Sequence, residues 1–154
     1  MKIRDILDEN SIIADLKAKT KKDVITELIE PFIKKGKIKD RNKLLESLMV
    51  RERLGSTGIG ENVAIPHAKS HEVDTIIATF GRSKDGINFD SLDKKPVCFV
   101  FLLIAPENSA GLHLKTLARI SRLLKNPAFR QELMKANNEK DIYEVISRED
   151  SKLI

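Results

Sequence analysis

Cysteine is nearly absent from this sequence, which contains a single one, Cys98. One cysteine cannot form a disulfide within the chain, and no CxxC pair or clustered Cys/His spacing indicates structural zinc. The chain must therefore fold through its hydrophobic core. This cysteine usage is typical of a protein in a reducing cytoplasm.

Tryptophan is missing, aromatic residues make up only 5% of the chain, and neither sign of charge dominates. The 28 Lys and Arg residues stand against 23 Asp and Glu residues, a net charge of +5, and the two signs are interspersed along nearly every segment. This pattern indicates a solvated surface and no basic tail. Because no aromatic residues are interleaved among the basic ones, the sequence predicts no single-strand stacking platform and no nucleic-acid partner.

Long apolar runs are missing as well. No run reaches the roughly 18 residues that a membrane span requires. The N-terminus, MKIRDILDEN, lacks the apolar core of a signal peptide. We therefore expect a cytoplasmic protein that is neither exported nor inserted directly into a membrane.

Helical patterns are present in several segments. Apolar residues recur at helical spacing after Thr20, after Asp40 and after Pro106, and Thr20 and Asp40 can each cap a helix. Asn126 and Asn138 are placed to cap two further helices. Thus each predicted helix but one begins at a residue whose side chain can accept a hydrogen bond from the first turn.

Extended segments lie between the second and third helical patterns. Residues 63–66 look extended, residues 75–80 are rich in β-forming residues, and residues 96–105, PVCFVFLLIA, are almost continuously apolar. Such an apolar run is typical of a central strand that is covered on both faces. No repeat, low-complexity tract or linker divides the chain. The sequence therefore predicts one α/β domain over residues 1–154, with a mixed central β-sheet flanked by helices on both faces.

Proline, glycine and one apolar stripe give three local expectations. Pro31 lies inside the first helical pattern, so we expect a kink or an early end there. Residues 55–60, GSTGIG, contain three glycines and two hydroxyl residues and are predicted to form a loop. In the helix after residue 106, we expect Leu114 to lie on the same apolar side as Leu117 and Ile120.

Histidine is scarce, and the three histidines, His67, His71 and His113, titrate near neutral pH, with an ordinary pKa of about 6.5. His67 directly follows a proline, which imposes extended backbone, and it lies seven residues beyond the GSTGIG segment. Glycine lets main-chain N–H groups converge on an anion, and Ser56 and Thr57 add hydroxyl donors. An imidazole beside such a loop indicates a phosphoryl group carried on histidine.

Nucleotide-binding patterns do not match this loop. GSTGIG is not followed by the Lys-Ser/Thr of a Walker A loop, and its spacing is not GxGxxG. The phosphoryl group therefore need not arrive on a nucleotide, and a neutral imidazole can accept it and hand it on. A transferring phosphoryl group carries charge on its equatorial oxygens, so the site needs donors and a fixed cation. Arg51, near the loop, and His113, at the start of a helix, are the candidates.

Three segments resemble a known family. RERLGSTGIGENVAIPHAKS, residues 51–70, closely resembles the active-site signature of the enzyme IIA component, fructose/mannitol type, of the bacterial phosphoenolpyruvate-dependent sugar phosphotransferase system. GLHLKTLARISRLL, residues 111–124, resembles the segment with the second histidine of this family. Residues 86–107, GINFDSLDKKPVCFVFLLIAPE, resemble its fructose-type pattern. The resemblance extends over essentially the whole chain.

This resemblance implies a role for each candidate residue. His67 matches the phosphorylated histidine, His113 its close companion, and Arg51 the arginine before the loop. The resemblance also implies phosphorylation at Nε2 of His67, which leaves Nδ1–H to a main-chain acceptor that fixes the tautomer. Asn62 stands where many relatives carry glycine, and asparagine tolerates the left-handed conformation better than most residues.

The resemblance further implies the partners. His67 would accept a phosphoryl group from phospho-HPr and pass it to a cysteine of a IIB component, which serves a membrane component IIC during sugar uptake. Because the chain contains no IIB or IIC portion, we expect its acceptor on another polypeptide. No cofactor and no metal are expected.

Other interpretations remain open. The nitrogen-related members of the same family share the His67 motif and act as regulatory proteins, although the fructose-like middle segment favours transport. Zinc bound by the three histidines is disfavoured, because AIPHAKSH shows no helical stripe that would place the rings of His67 and His71 on one face. We expect His71 on the surface and Cys98 in the core, where burial disfavours a thiolate.

Overall fold

The computed structural model describes residues 1–153. Within them, a sheet of six strands is covered by five α-helices, and two short 3-10 helices, Ile3–Asp5 and Glu9–Ser11, precede the first strand. The strands are β1 (Ile12–Ile13), β2 (Gly58–Gly60), β3 (Val63–Ala64), β4 (His67–Ser70), β5 (Ile77–Ile87) and β6 (Val97–Pro106). The helices are α1 (Lys21–Lys34), α2 (Arg41–Leu54), α3 (Ala110–Leu124), α4 (Pro127–Lys135) and α5 (Glu139–Ser151).

The sheet is mixed, as predicted. The long antiparallel pair β5 and β6 forms its centre, β1 adds to β5 in parallel, and β3 and β4 both add to β6 in parallel. Ala64 of β3 lies opposite Val100, and His67 of β4 lies opposite Leu103, so β3 and β4 follow each other along one edge of β6. The short strand β2 completes the sheet antiparallel to β3.

Side chains of β6 alternate between two cores, one on each face of the sheet. One face, with Phe101 and Leu103, packs against α3, α4 and α5, while the other, with Val100 and Leu102, packs against α1 and α2. All four side chains are at most 1% exposed. The prediction of a central strand covered by helices on both faces is therefore confirmed.

The predicted helix starts are also confirmed. Four residues accept a hydrogen bond at their side-chain oxygen from an N–H of the first turn, and each is the N-cap of its helix: Thr20, Asp40, Asn126 and Asn138. Such caps satisfy N–H groups that have no partner within the helix. Because these interactions are short-range, the helix starts can be predicted from the sequence.

The predicted early end of the helix at Pro31 is wrong, because α1 continues to Lys34, while the alternative of a kink stays a prediction. Proline lacks the N–H that would bond the carbonyl of Glu27. The next residue, Phe32, is only 1% exposed and belongs to the core formed by α1 and α2. The last turn of α1 is therefore held by tertiary packing, and the N–H of Lys35 still bonds the carbonyl of Pro31.

The predicted loop at residues 55–60 is wrong in its second half, where Gly58–Gly60 forms β2. Glu61 and Asn62 join β2 to β3 as a two-residue turn, with φ values of 58° and 66°. Positive φ at both central residues is the requirement of a type I′ hairpin turn. The expectation that Asn62 adopts the left-handed conformation is thus confirmed.

The apolar side of α3 also differs from the prediction. Leu114 is 65% exposed, whereas His113 and Thr116 are buried with Ile120. The buried face is therefore set one residue earlier than the leucine pattern indicates, and it includes two polar residues. Among residues 1–153, no helix has both the length and the apolar character needed to cross a membrane.

Arg82 is the largest fully buried side chain on β5. Its guanidinium donates hydrogen bonds to the carbonyl of Ala14 at 3.0 Å and to the carbonyl of Leu133 at 2.9 Å. It also bonds the carbonyl of Ala136, just after α4. The last carbonyls of a helix have no partner within it. Arg82 thus caps α4 from inside the protein and fixes it to the sheet.

We expect Arg82→Met to lower the free energy of unfolding by about 2–4 kcal/mol, because several buried carbonyls lose their donors together. Urea unfolding followed by circular dichroism measures the change. Arg148→Met is the matched control, since Arg148 is exposed and pairs with partly exposed Glu132 and partly buried Glu149, and such surface ion pairs contribute at most about 1 kcal/mol. Equal stability of the two variants would contradict the capping role of Arg82.

Candidate functional site

His67 is held at the start of β4 by the backbone on both sides of it. Pro66 and Ile65, which connect β3 to β4, are buried, and the carbonyl of Pro66 accepts a hydrogen bond from the N–H of Leu103. Nδ1 of His67 lies 2.8 Å from the carbonyl oxygen of Ile65. A carbonyl only accepts, so Nδ1 carries the proton and Nε2 keeps its lone pair. The main-chain acceptor that the sequence could only imply is therefore Ile65.

His113 lies in the first turn of α3, and the fold brings it to His67. The two ring centroids are 5.3 Å apart, with the ring planes tilted by 55°. His113 is 6% exposed, whereas His67 is half-buried. Within residues 1–153, Nδ1 of His113 is buried without a hydrogen-bond partner. The predicted pairing of the two histidines is thus present in the structure.

Arg51 completes the group from the last turn of α2. One guanidinium nitrogen, Nη1, donates to the carbonyl of Gly55 at 2.8 Å, which ties the end of α2 to the segment that follows. The side chain lines an open cavity of about 420 Å³ that also contains both imidazoles. The lining residues are Ser47, Val50, Arg51, Leu54, His67, Ala68, Lys69 and His113.

Ser56 and Thr57 do not line this cavity, in contrast to the sequence-based expectation. The hydroxyl of Ser56 donates to the carbonyl of Phe89. Thr57 is buried, and both its hydroxyl and its N–H donate to the carboxylate of Glu52. Their hydroxyls are therefore used to fix the segment between α2 and β2, because a short buried polar side chain bonds the nearest acceptor.

The glycines of this segment permit close backbone packing. A Cβ on Gly58 would lie 2.2 Å from Oγ of Ser91, which is a steric clash. The N–H of Gly58 is engaged by Ser56, and the N–H of Glu61 donates to Asp93. Together with the N–H of Thr57, these amides already have partners, so the segment is not an open anion-binding loop.

Glu52 is a buried carboxylate that sequence reasoning missed. Besides its two bonds from Thr57, it forms an ion pair with Lys21 at 3.1 Å, and Lys21 also lies over the ring of Phe89. A buried carboxylate requires such compensation. Its position inside the charged run RER hid it, because charged runs are usually solvated helix faces.

Burial is the main cause that lowers the pKa of His67 below its ordinary value of 6.5. The hydrogen bond to Ile65 acts in the opposite direction, and the guanidinium of Arg51 lowers this pKa further. Burial also lowers the pKa of His113, assisted by the charges of His67 and Lys69. The neutral form of both rings is therefore favoured at pH 7. His113 is not a fixed cation here, which leaves Arg51 and Lys69 as the permanent charges.

His71 and Cys98 lie outside the cavity. His71 is exposed, as expected. Cys98 is 9% exposed within β6, and burial raises the pKa of its thiol, as expected for a core cysteine. No group of three or more His, Cys, Asp or Glu side chains in the described part of the chain is arranged to hold a metal ion.

We expect NMR titration of the unphosphorylated protein to give midpoints below pH 6.5 for His67 and His113. Burial and neighbouring cations disfavour the charged ring, so more acid is needed to protonate it. The ¹⁵N shifts of His67 should show a proton on Nδ1 and a free Nε2 at pH 7.5. A proton on Nε2, or a midpoint above pH 6.5, would contradict the geometry.

Comparison with known proteins agrees with this geometry. The family model "Phosphoenolpyruvate-dependent sugar phosphotransferase system, EIIA 2" matches residues 5–149. The chain is 40% identical over 150 residues to the PTS system fructose-specific EIIABC component of Bacillus subtilis (strain 168), covering 97% of this chain but only 24% of that protein. It is 38% identical to the nitrogen regulatory protein of Bradyrhizobium diazoefficiens, covering 96% of this chain and 95% of that protein.

Solved structures agree in fold. Nitrogen regulatory protein IIA-Ntr from Neisseria meningitidis superposes with a TM-score of 0.87 at 30% identity, covering 94% of this chain and 98% of that one. The complex of mannitol IIA with phosphorylated IIB from Escherichia coli matches with a TM-score of 0.76 at 19% identity, covering 93% of this chain and 99% of that one. At this low identity, the match supports only the fold. The paired imidazoles, the fold and the match over nearly the full length lead to one conclusion: this chain belongs to the EIIA type-2 family of the phosphoenolpyruvate-dependent sugar phosphotransferase system.

Proposed function

We propose that this chain is a phosphoryl carrier in which Nε2 of His67 accepts a phosphoryl group from phospho-HPr and passes it to a cysteine of a IIB component. The observation that carries the proposal is the bond between Nδ1 of His67 and the carbonyl of Ile65, because it leaves Nε2 as the free nucleophile. The transfer would take place in the cytoplasm.

Acceptance is a substitution at phosphorus. The lone pair of Nε2 forms a P–N bond to the phosphoryl group while the P–N bond to the histidine of HPr breaks, so that no proton needs to leave His67. The ring of His67 then becomes positively charged, and the Nδ1–H bond to Ile65 stabilises this charge. In the next step the thiolate of IIB attacks the same phosphorus, and Nε2 of His67 recovers its lone pair.

Arg51 and His113 have different tasks in this proposal. Arg51 supplies a permanent positive charge that is held in place by its bond to Gly55. His113 is neutral before the transfer, and the arriving phosphoryl dianion favours its protonated form. It can thus donate a hydrogen bond to the phosphoryl oxygens once they are present.

Ser56 and Thr57 support the site indirectly. Through Phe89 and Glu52 they hold the segment between α2 and β2 in place. This segment begins at Gly55, to which Arg51 is bonded. We therefore assign both residues a positioning role, since neither hydroxyl is directed into the cavity with the imidazoles.

An apolar surface around the imidazoles supports docking of protein partners. Val50 and Leu54 line the cavity and are 45% and 82% exposed. Leu112 and Leu114, on either side of His113, are 47% and 65% exposed. Exposed apolar side chains grouped at a reactive centre are typical of a protein-binding surface. HPr and IIB would use this surface one after the other, because both need Nε2 of His67.

A regulatory role is the second candidate function. It is favoured by the 38% identity to a nitrogen regulatory protein that this chain matches over 95% of that protein's length. Sugar transport is favoured by the 40% identity to a fructose-specific component. Incubation with phosphoenolpyruvate, enzyme I and HPr, followed by candidate IIB proteins, separates the two. Label on a IIB cysteine supports transport, whereas label that stays on this chain supports regulation.

We expect His67→Ala to abolish labelling from phosphoenolpyruvate, enzyme I and HPr, because it removes Nε2, the proposed acceptor, and His113 is too buried to replace it. We expect His113→Ala to accept label but to transfer it to IIB at least about 10-fold more slowly, since one donor to the phosphoryl group is lost. His71→Ala is the matched control and should behave like the unmodified chain. Labelling of His67→Ala at the normal rate would refute the assignment.

A further inference from the structure

Lys69 lies two residues after His67 on the same strand. Side chains at positions i and i+2 of a strand point to the same face of the sheet. The pairing with β6 keeps this alternation regular, since His67 lies opposite Leu103 and Lys69 opposite Ala105. Both side chains accordingly line the cavity that contains His113. The strand therefore presents a nucleophile and a cation side by side.

The ammonium group of Lys69 has no protein partner within residues 1–153. The side chain is exposed and takes part in none of the ion pairs or hydrogen bonds of that part of the chain. Arg51, in contrast, donates a hydrogen bond from one guanidinium nitrogen to the carbonyl of Gly55, and Lys21 forms an ion pair with buried Glu52. Among these three cations at or near the site, Lys69 is the one whose charge is uncommitted.

No carboxylate of residues 1–153 lines the cavity with the imidazoles, and Glu72 and Glu107 border the neighbouring cavity on the other side of Lys69 without forming an ion pair with it. A phosphoryl group on Nε2 would bring a dianion into a site with two cations and two neutral imidazoles. The charge on its equatorial oxygens must be balanced both in the bound state and during transfer. A lysine on a flexible four-carbon stem can follow the group as it moves toward a partner, which the tethered Arg51 cannot do as freely.

We propose that Lys69 is a phosphoryl-binding residue whose ammonium group contacts the oxygens of the phosphoryl group on His67. The inference rests on the proposed function and adds a residue to it. The same placement brings the charge of Lys69 close enough to His113 to contribute, after burial and His67, to the lowered pKa of that ring.

The test compares Lys69→Met with Lys43→Met. Lys43 is also an exposed lysine. Both lysines line a neighbouring cavity, but only Lys69 also lines the cavity with the imidazoles. The proteins are labelled with phosphoenolpyruvate, enzyme I and HPr. We measure the equilibrium of phosphoryl exchange with HPr, and the pH titration of the phosphoryl group by ³¹P NMR.

We expect Lys69→Met to shift the exchange equilibrium about 10-fold toward phospho-HPr, because a dianion loses a neighbouring cation. The phosphoryl group should titrate at higher pH in Lys69→Met, since a nearby cation favours its dianionic form. In Lys69→Arg, the exchange equilibrium and the ³¹P titration should both stay close to those of the unmodified chain. Lys43→Met should match the unmodified chain. A lysine that only supports the fold would leave the ³¹P titration unchanged.

Three outcomes separate the two proposals. Failure of the unmodified chain to take label overturns the phosphoryl-carrier function itself, and the role of Lys69 with it. Normal labelling with no difference between Lys69→Met and Lys43→Met overturns only the role of Lys69. In the unphosphorylated protein, His113 should titrate at higher pH in Lys69→Met; no change there would contradict the placement of the lysine.

Discussion

The hydrogen bond from Nδ1 of His67 to the carbonyl of Ile65 is the constraint on which the site depends. It sets the tautomer, and it fixes the ring relative to a backbone that is itself part of the sheet. The carbonyl of Pro66, between these two residues, is bound by the N–H of Leu103 on the central strand β6. The direction of Nε2 is therefore determined by strand pairing, and the open side of the ring faces the cavity shared with His113 and Arg51.

Polar groups around the site divide into those that build it and those that remain free. Glu52, Thr57 and Ser56 are occupied with one another or with the backbone, and the amides of Thr57 and Gly58 have partners as well. Within residues 1–153, the groups left without a partner include the lone pair of His67, Nδ1 of His113 and the ammonium of Lys69. This division explains how an open imidazole pair coexists with a firmly packed support: the buried groups of Glu52 and Thr57 bond each other, as stability requires.

Much of the fold could be predicted from the sequence, because its signals are local. The caps at Thr20 and Asp40 act within one helical turn. The apolar run of β6 is enough to predict a strand that is buried on both faces. The continuation of α1 past Pro31 and the strand at Gly58–Gly60 could not be predicted in this way. Both depend on distant partners, the core around Phe32 in one case and β3 in the other.

The site could be predicted only in part for the same reason. His67 and His113 stand out as scarce residues in distinctive motifs, whereas Lys69 and Glu52 are single members of an abundant charged population of 51 residues, the sum of 28 and 23. Only burial distinguishes Glu52, and only its neighbours distinguish Lys69. The expected hydroxyl contacts of Ser56 and Thr57 failed because composition does not reveal which acceptor a hydroxyl will find.

The tether between the imidazole and its own strand has a consequence for control of this chain. A ligand or modification elsewhere on the surface cannot turn the ring without breaking its hydrogen bond to Ile65, and the neighbouring carbonyl of Pro66 is itself bound to β6. Inhibitors of the carrier are thus expected to compete with partner proteins for the open side of the imidazole. Paralogues would differ in the exposed apolar side chains around the imidazoles and would keep the same chemistry at the ring.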